Sequence, residues 1–185
     1  MILRGPKSFL FRLLICISLR MKFEVQDAVE MEYPNQYYDA VHSRDAILHM
    51  KNKTKLFENI YKCLKPGGKL LITDYCRNEN SLQNDPAFSD YVKKYDYDIL
   101  TVHEYGKRLK EAQFTDVVAI DNSKHFLDIL HKELDTLSDK NTAKEIVGLL
   151  NEEEYTSWCN LWSDKIKRVN HGSHVWGLFT ATKPL

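Results

Sequence analysis

The sequence has no excess of either charge, no closely spaced cysteines and no long apolar run. Lysine and arginine number 26, as do aspartate and glutamate, so the formal net charge is zero. Non-specific nucleic-acid binding depends on a basic excess, which this chain does not have. The four cysteines form no C-x-x-C pair, so neither a zinc site nor a disulfide framework is indicated. We therefore expect a cytoplasmic protein with no metal and no nucleic-acid partner.

The first 20 residues differ in character from the rest. An apolar run from Phe9 to Leu19 follows basic residues, as in a signal peptide. Arg12 interrupts the run, and it is shorter than the roughly 20 residues that span a bilayer, so no membrane span is expected. A signal, a buried element and a leader ahead of a true start at Met21 stay open, and we favour the last. Residues 1–20 are left unassigned.

Strand and helix patterns alternate along the rest of the chain. Apolar runs predict strands at 22–28, 37–43, 69–75, 116–121 and 175–184. Helices are predicted from residue 46, over 54–64, from a capping box at Thr101 to about 112, and along apolar stripes at 127–137 and 155–169, with a polar loop at 77–90. This alternation indicates an α/β fold with a mostly parallel sheet.

Polar residues follow three of the predicted strands. Asp27, Ser43 to Asp45, and Asp74 with Tyr75 lie at carboxyl ends, where sheets of this kind bind ligands. A single aspartate at a strand end is more often a helix N-cap. Three such ends together favour a functional site.

Asp45 and His49 are four residues apart in a segment with apolar neighbours. On a helix this spacing places both side chains on one face. A carboxylate beside an imidazole suits proton handling and cation recognition. The alternative is a surface pair of little energetic value, but the apolar residues between them favour function.

Four tyrosines cluster near one predicted strand end: Tyr75, Tyr91, Tyr95 and Tyr97. Aromatic faces attract alkylated ammonium groups, and phenol hydroxyls bind phosphate oxygens. A tyrosine-rich lid packed for its own stability is an equal alternative. Lys165, in the last helix, is either part of the same site or simply solvated.

His171 and His174 have a spacing that can suggest a metal site. No cysteine or carboxylate residue partners them locally. A loop without a metal is the favoured interpretation.

Five segments resemble successive blocks of the phosphoethanolamine N-methyltransferases, which methylate phosphoethanolamine towards phosphocholine with S-adenosylmethionine as methyl donor. These segments are "FEVQDA", "YYDAVHSRDAILHM", "CLKPGGKLLITDYC", "FSDYVKKYDYDILTVHEY" and "LWSDKIKRVNHGSHVWGLFTATKP". The resemblance implies that residues 21–185 are the C-terminal portion of one methyltransferase domain. The implied fold is an incomplete Rossmann-like class I methyltransferase fold, a mostly parallel sheet with a final antiparallel strand and helices on both faces.

The resemblance also implies roles for individual residues. Asp27, Ala28 and Arg44 match donor-binding positions, Asp45 the carboxylate that holds the substrate ammonium, and His49 the histidine of a catalytic tyrosine–histidine pair. Tyr75, Tyr91, Tyr97 and Lys165 match phosphate anchors. Tyr95 stands where the family usually has an arginine, and a phenol cannot replace the paired hydrogen bonds of a guanidinium.

Parts of the family pattern have no counterpart in the sequence. The family order is 3-2-1-4-5-7-6, the chain matches strands three to seven, and no G-x-G-x-G donor loop occurs. We therefore expect an exposed sheet edge that permits self-association, and weak donor binding. Three functions stay open: a phosphobase methyltransferase impaired in this chain, a non-catalytic remnant or partner of a full-length homologue, and another class I small-molecule methyltransferase.

Overall fold

The computed structural model describes residues 23–185, so the leader at 1–20 lies outside the described residues. Strands and helices alternate through the first two thirds of this range, and three helices then precede the last strand. The elements in chain order are β1 (Tyr38–Arg44), a 3-10 turn (Ile47–His49), α1 (Lys53–Cys63), β2 (Leu64–Arg77), α2 (Ser81–Asn84), α3 (Pro86–Lys94), α4 (Val102–Glu111), β3 (Thr115–Asp121), α5 (Ser123–Ser138), α6 (Lys140–Leu149), α7 (Glu152–His171) and β4 (His174–Thr182).

The four strands form one sheet in the order β1-β2-β4-β3. β1 pairs with β2 in parallel, whereas β4 is antiparallel to both β2 and β3. Three strands therefore run in one direction and the last runs against them, as predicted. The order also equals strands four, five, seven and six of the expected class I order.

One face of the sheet carries the larger apolar core. Alternate residues of β2 point to this face, and Leu70 and Ile72 are buried there against α1 and α4. Tyr105 of α4 stacks on Phe179 of β4 with ring centroids 4.0 Å apart. Fully burying one such apolar side chain stabilises the fold by about 1.5–3 kcal/mol. Because many side chains are buried in this layer, it is the main core. The predicted capping box is present, with Thr101 accepting from the backbone of Glu104.

The other face is covered only in part. α5 and α7 pack over the end of this face that carries Trp176, where Phe126, Ile166 and Trp176 belong to a second apolar cluster. Outside that cluster, Leu71, Val118 and Ile120 have 41%, 48% and 44% of their surface exposed. Helices thus lie on both faces, as expected, but the second layer leaves part of the sheet open.

Two predicted elements are wrong. The described part of the predicted strand 22–28 forms no strand, since none of the four strands of the described sheet pairs with it and Val25 is exposed. The helix expected from residue 46 is only the three-residue 3-10 turn. Asp45, just before it, has a left-handed backbone (φ 47°), which is not a helical conformation.

The helices after β2 were also incompletely predicted. The segment 77–90 was expected to be a polar loop, yet it contains α2 and the start of α3. Asp85 initiates α3 by accepting a hydrogen bond from the backbone of Phe88, with Pro86 at the first helical position. α6 was not predicted because it has no buried residue and therefore no apolar stripe.

Within residues 23–185 no helix is long and apolar enough to cross a membrane. In the same range, no group of three or more histidine, cysteine, aspartate or glutamate side chains is arranged to hold a metal ion. Cys63, Cys76 and Cys159 are free thiols.

Candidate active site

Asp45 follows the carboxyl end of β1 in a turn that the sheet and Trp176 hold. Its backbone N–H donates to the carbonyl of Thr73 at 2.8 Å, which ties the turn to β2. The indole Nε1 of Trp176 donates to Asp45 Oδ1 at 2.7 Å. Burial raises the pKa of the Asp45 carboxyl, while the Trp176 hydrogen bond and the charges of Arg44 and Lys165 act against that rise. The result is a half-buried carboxylate held in one orientation beside cations.

Tyr75 and Lys165 lie on the same face as this carboxylate. Tyr75 is directly opposite Trp176 in the β2–β4 register, and directly opposed residues project to one face of a sheet. The ammonium of Lys165 on α7 donates to the Tyr75 hydroxyl at 3.0 Å and lies 4.7 Å from the ring centroid of Trp162. Burial lowers the pKa of Lys165, and the charges of Glu133 and Asp45 partly offset this.

Three further tyrosines extend this cluster. Tyr91 on α3 packs edge-on against Tyr97 with centroids 5.6 Å apart, and Tyr95 stacks on Tyr97 at 5.5 Å. The His49 ring meets Tyr97 edge-on at 5.0 Å. A backbone hydrogen bond of 2.8 Å from Asp98 to Leu48 holds the tyrosine segment against the 3-10 turn.

The structure therefore brings most of the predicted substrate residues together. Burial and the charge of Asp45 both raise the pKa of Tyr75, and the neighbouring phenols Tyr91 and Tyr97 add to the rise, so these groups share one environment. His49 joins the cluster through Tyr97. The prediction that Asp45 and His49 share a helical face is wrong, because Asp45 lies in the left-handed turn before the 3-10 residues.

Three residues of this site were not predicted: Trp176, Arg168 and His174. Trp176 lies opposite Tyr75 because β4 pairs with β2. The two residues are far apart in the sequence, so no local pattern predicts this contact. Arg168 is one turn after Lys165, a spacing that could have signalled a shared face.

His174 begins β4 and is 1% exposed, with neither ring nitrogen hydrogen-bonded in the described residues. Its ring packs on Tyr75 with centroids 4.5 Å apart. Burial, with the charges of Arg168 and Lys165, lowers its pKa to about 3. His171 instead ends α7 and lies 3.2 Å from Asp85. The pair therefore brackets a two-residue turn rather than lying in a loop.

The residues matched to donor binding are arranged loosely. Asp27 is exposed, and its Oδ1 accepts from the backbone of Val29 at 2.8 Å. Ala28 packs against the core, and the largely exposed Arg44 lies 3.7 Å from Asp45. Residues 23–185 also contain no G-x-G-x-G sequence and no acidic ribose partner like those that the resemblance implies. They do not fit the whole donor.

Asp74 projects to the opposite face and is not part of the tyrosine cluster. Its Oδ2 accepts a 3.4 Å hydrogen bond from the buried Tyr105 hydroxyl. Burial raises the pKa of Asp74 to about 7. A cavity of about 640 Å³ also lies on that face, between α4 and β3. Its arginine, Arg77, is already bound to Glu104 through two 2.8 Å hydrogen bonds, so the cavity offers no free guanidinium.

A methyltransferase domain family matches residues 13–120, more than half of the sequence, so the chain belongs to the methyltransferase domain family. Its mixed sheet and flanking helices are those of the class I methyltransferase fold. Within that class it is similar to phosphoethanolamine N-methyltransferases. It is 39% identical to phosphoethanolamine N-methyltransferase 3 of Arabidopsis thaliana over 95% of this chain and 35% of the relative. It is 40% identical to the Plasmodium falciparum enzyme over 87% of this chain and 60% of the relative.

A solved structure gives the same assignment. Phosphoethanolamine N-methyltransferase 2 of Haemonchus contortus, in complex with phosphomonomethylethanolamine and S-adenosylhomocysteine, superposes with a TM-score of 0.79 at 30% identity. The match covers 86% of this chain and 36% of that one. The chain thus spans about a third of the length of the plant and nematode proteins.

Proposed function

We propose that this chain forms the phosphobase-binding part of an S-adenosylmethionine-dependent phosphoethanolamine N-methyltransferase in phosphocholine biosynthesis. The observation that carries the proposal is the pair of opposite charges beside Tyr75: the Asp45 carboxylate and the Lys165 ammonium. A phosphobase carries an ammonium at one end and a phosphate at the other. A site with one anion and one cation, both partly buried, suits such a ligand better than it suits an amine or a phosphate alone.

Each side chain has a role in this proposal. Asp45 holds the substrate ammonium, and Lys165 binds the phosphate together with the hydroxyls of Tyr75, Tyr91 and Tyr97. The substrate nitrogen must lose a proton before it can attack, and its free pKa is about 10, like that of a lysine amine. His49 is assigned to accept or relay that proton, because it ends the 3-10 turn that follows Asp45 and is exposed to solvent.

The donor would supply the methyl group from its sulfonium. Asp27, Ala28 and Arg44 are proposed to contact only its adenine end. Each missing charged hydrogen bond is worth roughly 1.5–3 kcal/mol, so the loss of two or three weakens donor binding by about a hundredfold or more. We accordingly expect the chain to bind the phosphobase while it binds the donor weakly and turns over little or no substrate.

Calorimetric titration of the purified chain with three ligands tests the proposal. Phosphoethanolamine should bind, whereas ethanolamine and inorganic phosphate should each bind at least about tenfold more weakly, since each meets only one of the two charges. Asp45→Asn should remove the preference over inorganic phosphate, and Lys165→Met should reduce the preference over ethanolamine. Equal binding of all three ligands, or none of phosphoethanolamine, would contradict the proposal.

A cytoplasmic location is part of the same proposal. It is supported by the free thiols of Cys63, Cys76 and Cys159, which fit a reducing compartment. Fractionation of cells that express the chain should recover it with cytosolic markers, and recovery in a secreted or membrane fraction would contradict this.

The uncovered sheet face favours a second candidate function, a non-catalytic partner of a homologous methyltransferase. Leu71 and Val118 both flank Thr180 in the register, and Thr73 and Ile120 both flank Leu178, so these side chains form one surface. Sheets of this kind normally bury such a face under helices. We propose that the donor-binding segment of a homologous chain covers this face. The glycine-rich loop and the acidic ribose partner, which residues 23–185 do not contain, belong to that segment in the family that the chain resembles.

Hydrogen exchange tests this docking. The chain would be mixed with the part of the Plasmodium falciparum relative that lies outside the match, and amides of β2 and β3 should become protected in a one-to-one complex. Leu71→Lys should abolish the complex, while Leu149→Lys, at an exposed leucine of α6, should not. Concentration-dependent protection without the added segment would instead show self-association, and no protection in either sample would overturn the docking proposal.

A further inference from the structure

Position 95 poses a charge problem for phosphate binding. The resemblance places an arginine there, but the residue is tyrosine. Tyr95 packs into the aromatic cluster, stacked on Tyr97 and 5.2 Å from the ring centroid of Tyr91. Its phenol is one donor in place of the five of a guanidinium.

A guanidinium reaches the same tyrosines from another element. Arg168 lies on α7, three residues after Lys165, and its Cζ is 3.8 Å from the ring centroid of Tyr91. Its charge acts against the rise in the pKa of Tyr91 and of Tyr97, and it lowers the pKa of Lys165 and His174. Arg168 is therefore electrostatically coupled to Tyr91, Tyr97, Lys165 and His174.

The hydrogen-bonding capacity of Arg168 is not used within the described part of the chain. Its Nε is buried and has no hydrogen-bond partner there, and no carboxylate in residues 23–185 forms an ion pair with it. A buried donor without a partner is costly, and two cations three residues apart repel one another. An anion bound between Arg168 and Lys165 would relieve both costs.

We propose that Arg168 supplies the guanidinium for the phosphate of the substrate, from α7 instead of from position 95. This inference rests on the proposed phosphobase site and names a binding residue within it. Tyr91 covers one face of the guanidinium, so the planar N–H groups are held at its rim and are available to phosphate oxygens. Lys165 then adds a point charge to the same phosphate.

Three variants and one control test the role of Arg168 by calorimetric titration with phosphoethanolamine. Arg168→Met should weaken binding at least tenfold. Arg168→Lys should fall between, because it keeps the charge and loses the planar fork. The double variant Arg168→Met with Tyr95→Arg should recover most of the affinity. Lys167→Met is the matched control, since Lys167 is an exposed neighbour paired with Asp164 at 2.9 Å, and it should bind within twofold of the unchanged chain.

The outcomes separate this inference from the proposed function. If the unchanged chain binds phosphoethanolamine and Arg168→Met binds equally well, Arg168 has no role and the phosphobase site stands. If the unchanged chain does not bind, both ideas fail. Should Arg168→Met lose its fold in circular dichroism, Arg168→Lys decides the question: an affinity unchanged within twofold overturns the inference. Failure of Tyr95→Arg to restore any binding to a folded Arg168→Met chain also overturns it.

Discussion

Replacing Asp74 with asparagine should change how the free energy of unfolding depends on pH. Asp74 is 1% exposed, and burial raises its pKa from 3.8 to about 7. The folded chain therefore keeps a proton that the unfolded chain releases. Its contribution to stability is fully present below about pH 4 and is lost as pH rises towards 7. At about 1.36 kcal/mol per pKa unit, the full loss is about 4 kcal/mol.

His174 acts in the opposite direction. Burial lowers its pKa from 6.5 to about 3. Between these two pH values the unfolded chain therefore binds a proton at His174 and the folded chain does not. Stability rises as pH increases from about 3 to 6.5, by about 5 kcal/mol in full. In the unchanged chain the two slopes nearly cancel between about pH 4.5 and 6.

The two variants Asp74→Asn and His174→Phe uncover the two slopes. Phenylalanine suits position 174 because the ring lies among aromatic side chains and neither nitrogen has a partner in the described residues. Over about 1.5 pH units, Asp74→Asn should gain about 2 kcal/mol of stability with rising pH, and His174→Phe should lose about 2 kcal/mol.

Urea unfolding at several pH values in that window, followed by circular dichroism, measures both slopes. Other titrating groups are common to the two variants and cancel in the difference of about 4 kcal/mol. Parallel pH profiles for the two variants would refute the reasoning, since they would mean that neither group is held in its neutral form by burial.

The remaining predictions concern the site and its support. Trp176→Phe removes the hydrogen-bond donor to Asp45 Oδ1 and should weaken phosphoethanolamine binding about tenfold in calorimetry. The loss should be larger at lower pH. An unchanged affinity would show that Asp45 needs no such support. Phosphoethanolamine affinity should fall at low pH, as Asp45 with its raised pKa takes up a proton, and at high pH, as Lys165 with its lowered pKa loses one. An affinity constant across the accessible pH range would exclude one or both charges from the site. Thr101→Ala breaks the capping box of α4 and should cost about 1–2 kcal/mol in urea unfolding, whereas Thr136→Ala on α5 should cost far less.

The sequence predicts the sheet well because its strands carry strong local signals. Apolar runs predict the ends of β2 and β4 nearest Tyr75 and Trp176 to within a few residues, and the capping box predicts the start of α4. It fails where tertiary contacts decide. A left-handed aspartate has no periodicity to reveal it, and an extended segment at 23–28 becomes a strand only if a neighbour pairs with it.

The candidate site divides in the same way. Strand ends and spacing predict Asp45 and Tyr75, and the resemblance adds Lys165. Trp176 and Arg168 were missed because their roles depend on which strands and helices lie side by side. Residue type, spacing and the resemblance therefore predict the charged groups of the candidate site, and only the packing shows which groups contact them.

The orientation of the bound phosphobase tests the central claim most directly. In a nuclear Overhauser experiment on the chain with phosphoethanolamine, the methylene next to the nitrogen should show contacts to the Trp176 indole, which adjoins Asp45. The methylene next to the phosphate should show contacts to the Tyr91 and Tyr97 rings. Contacts in the reverse order, or contacts only to residues outside this cluster, would contradict the assignment of Asp45 to the ammonium and of Lys165 to the phosphate.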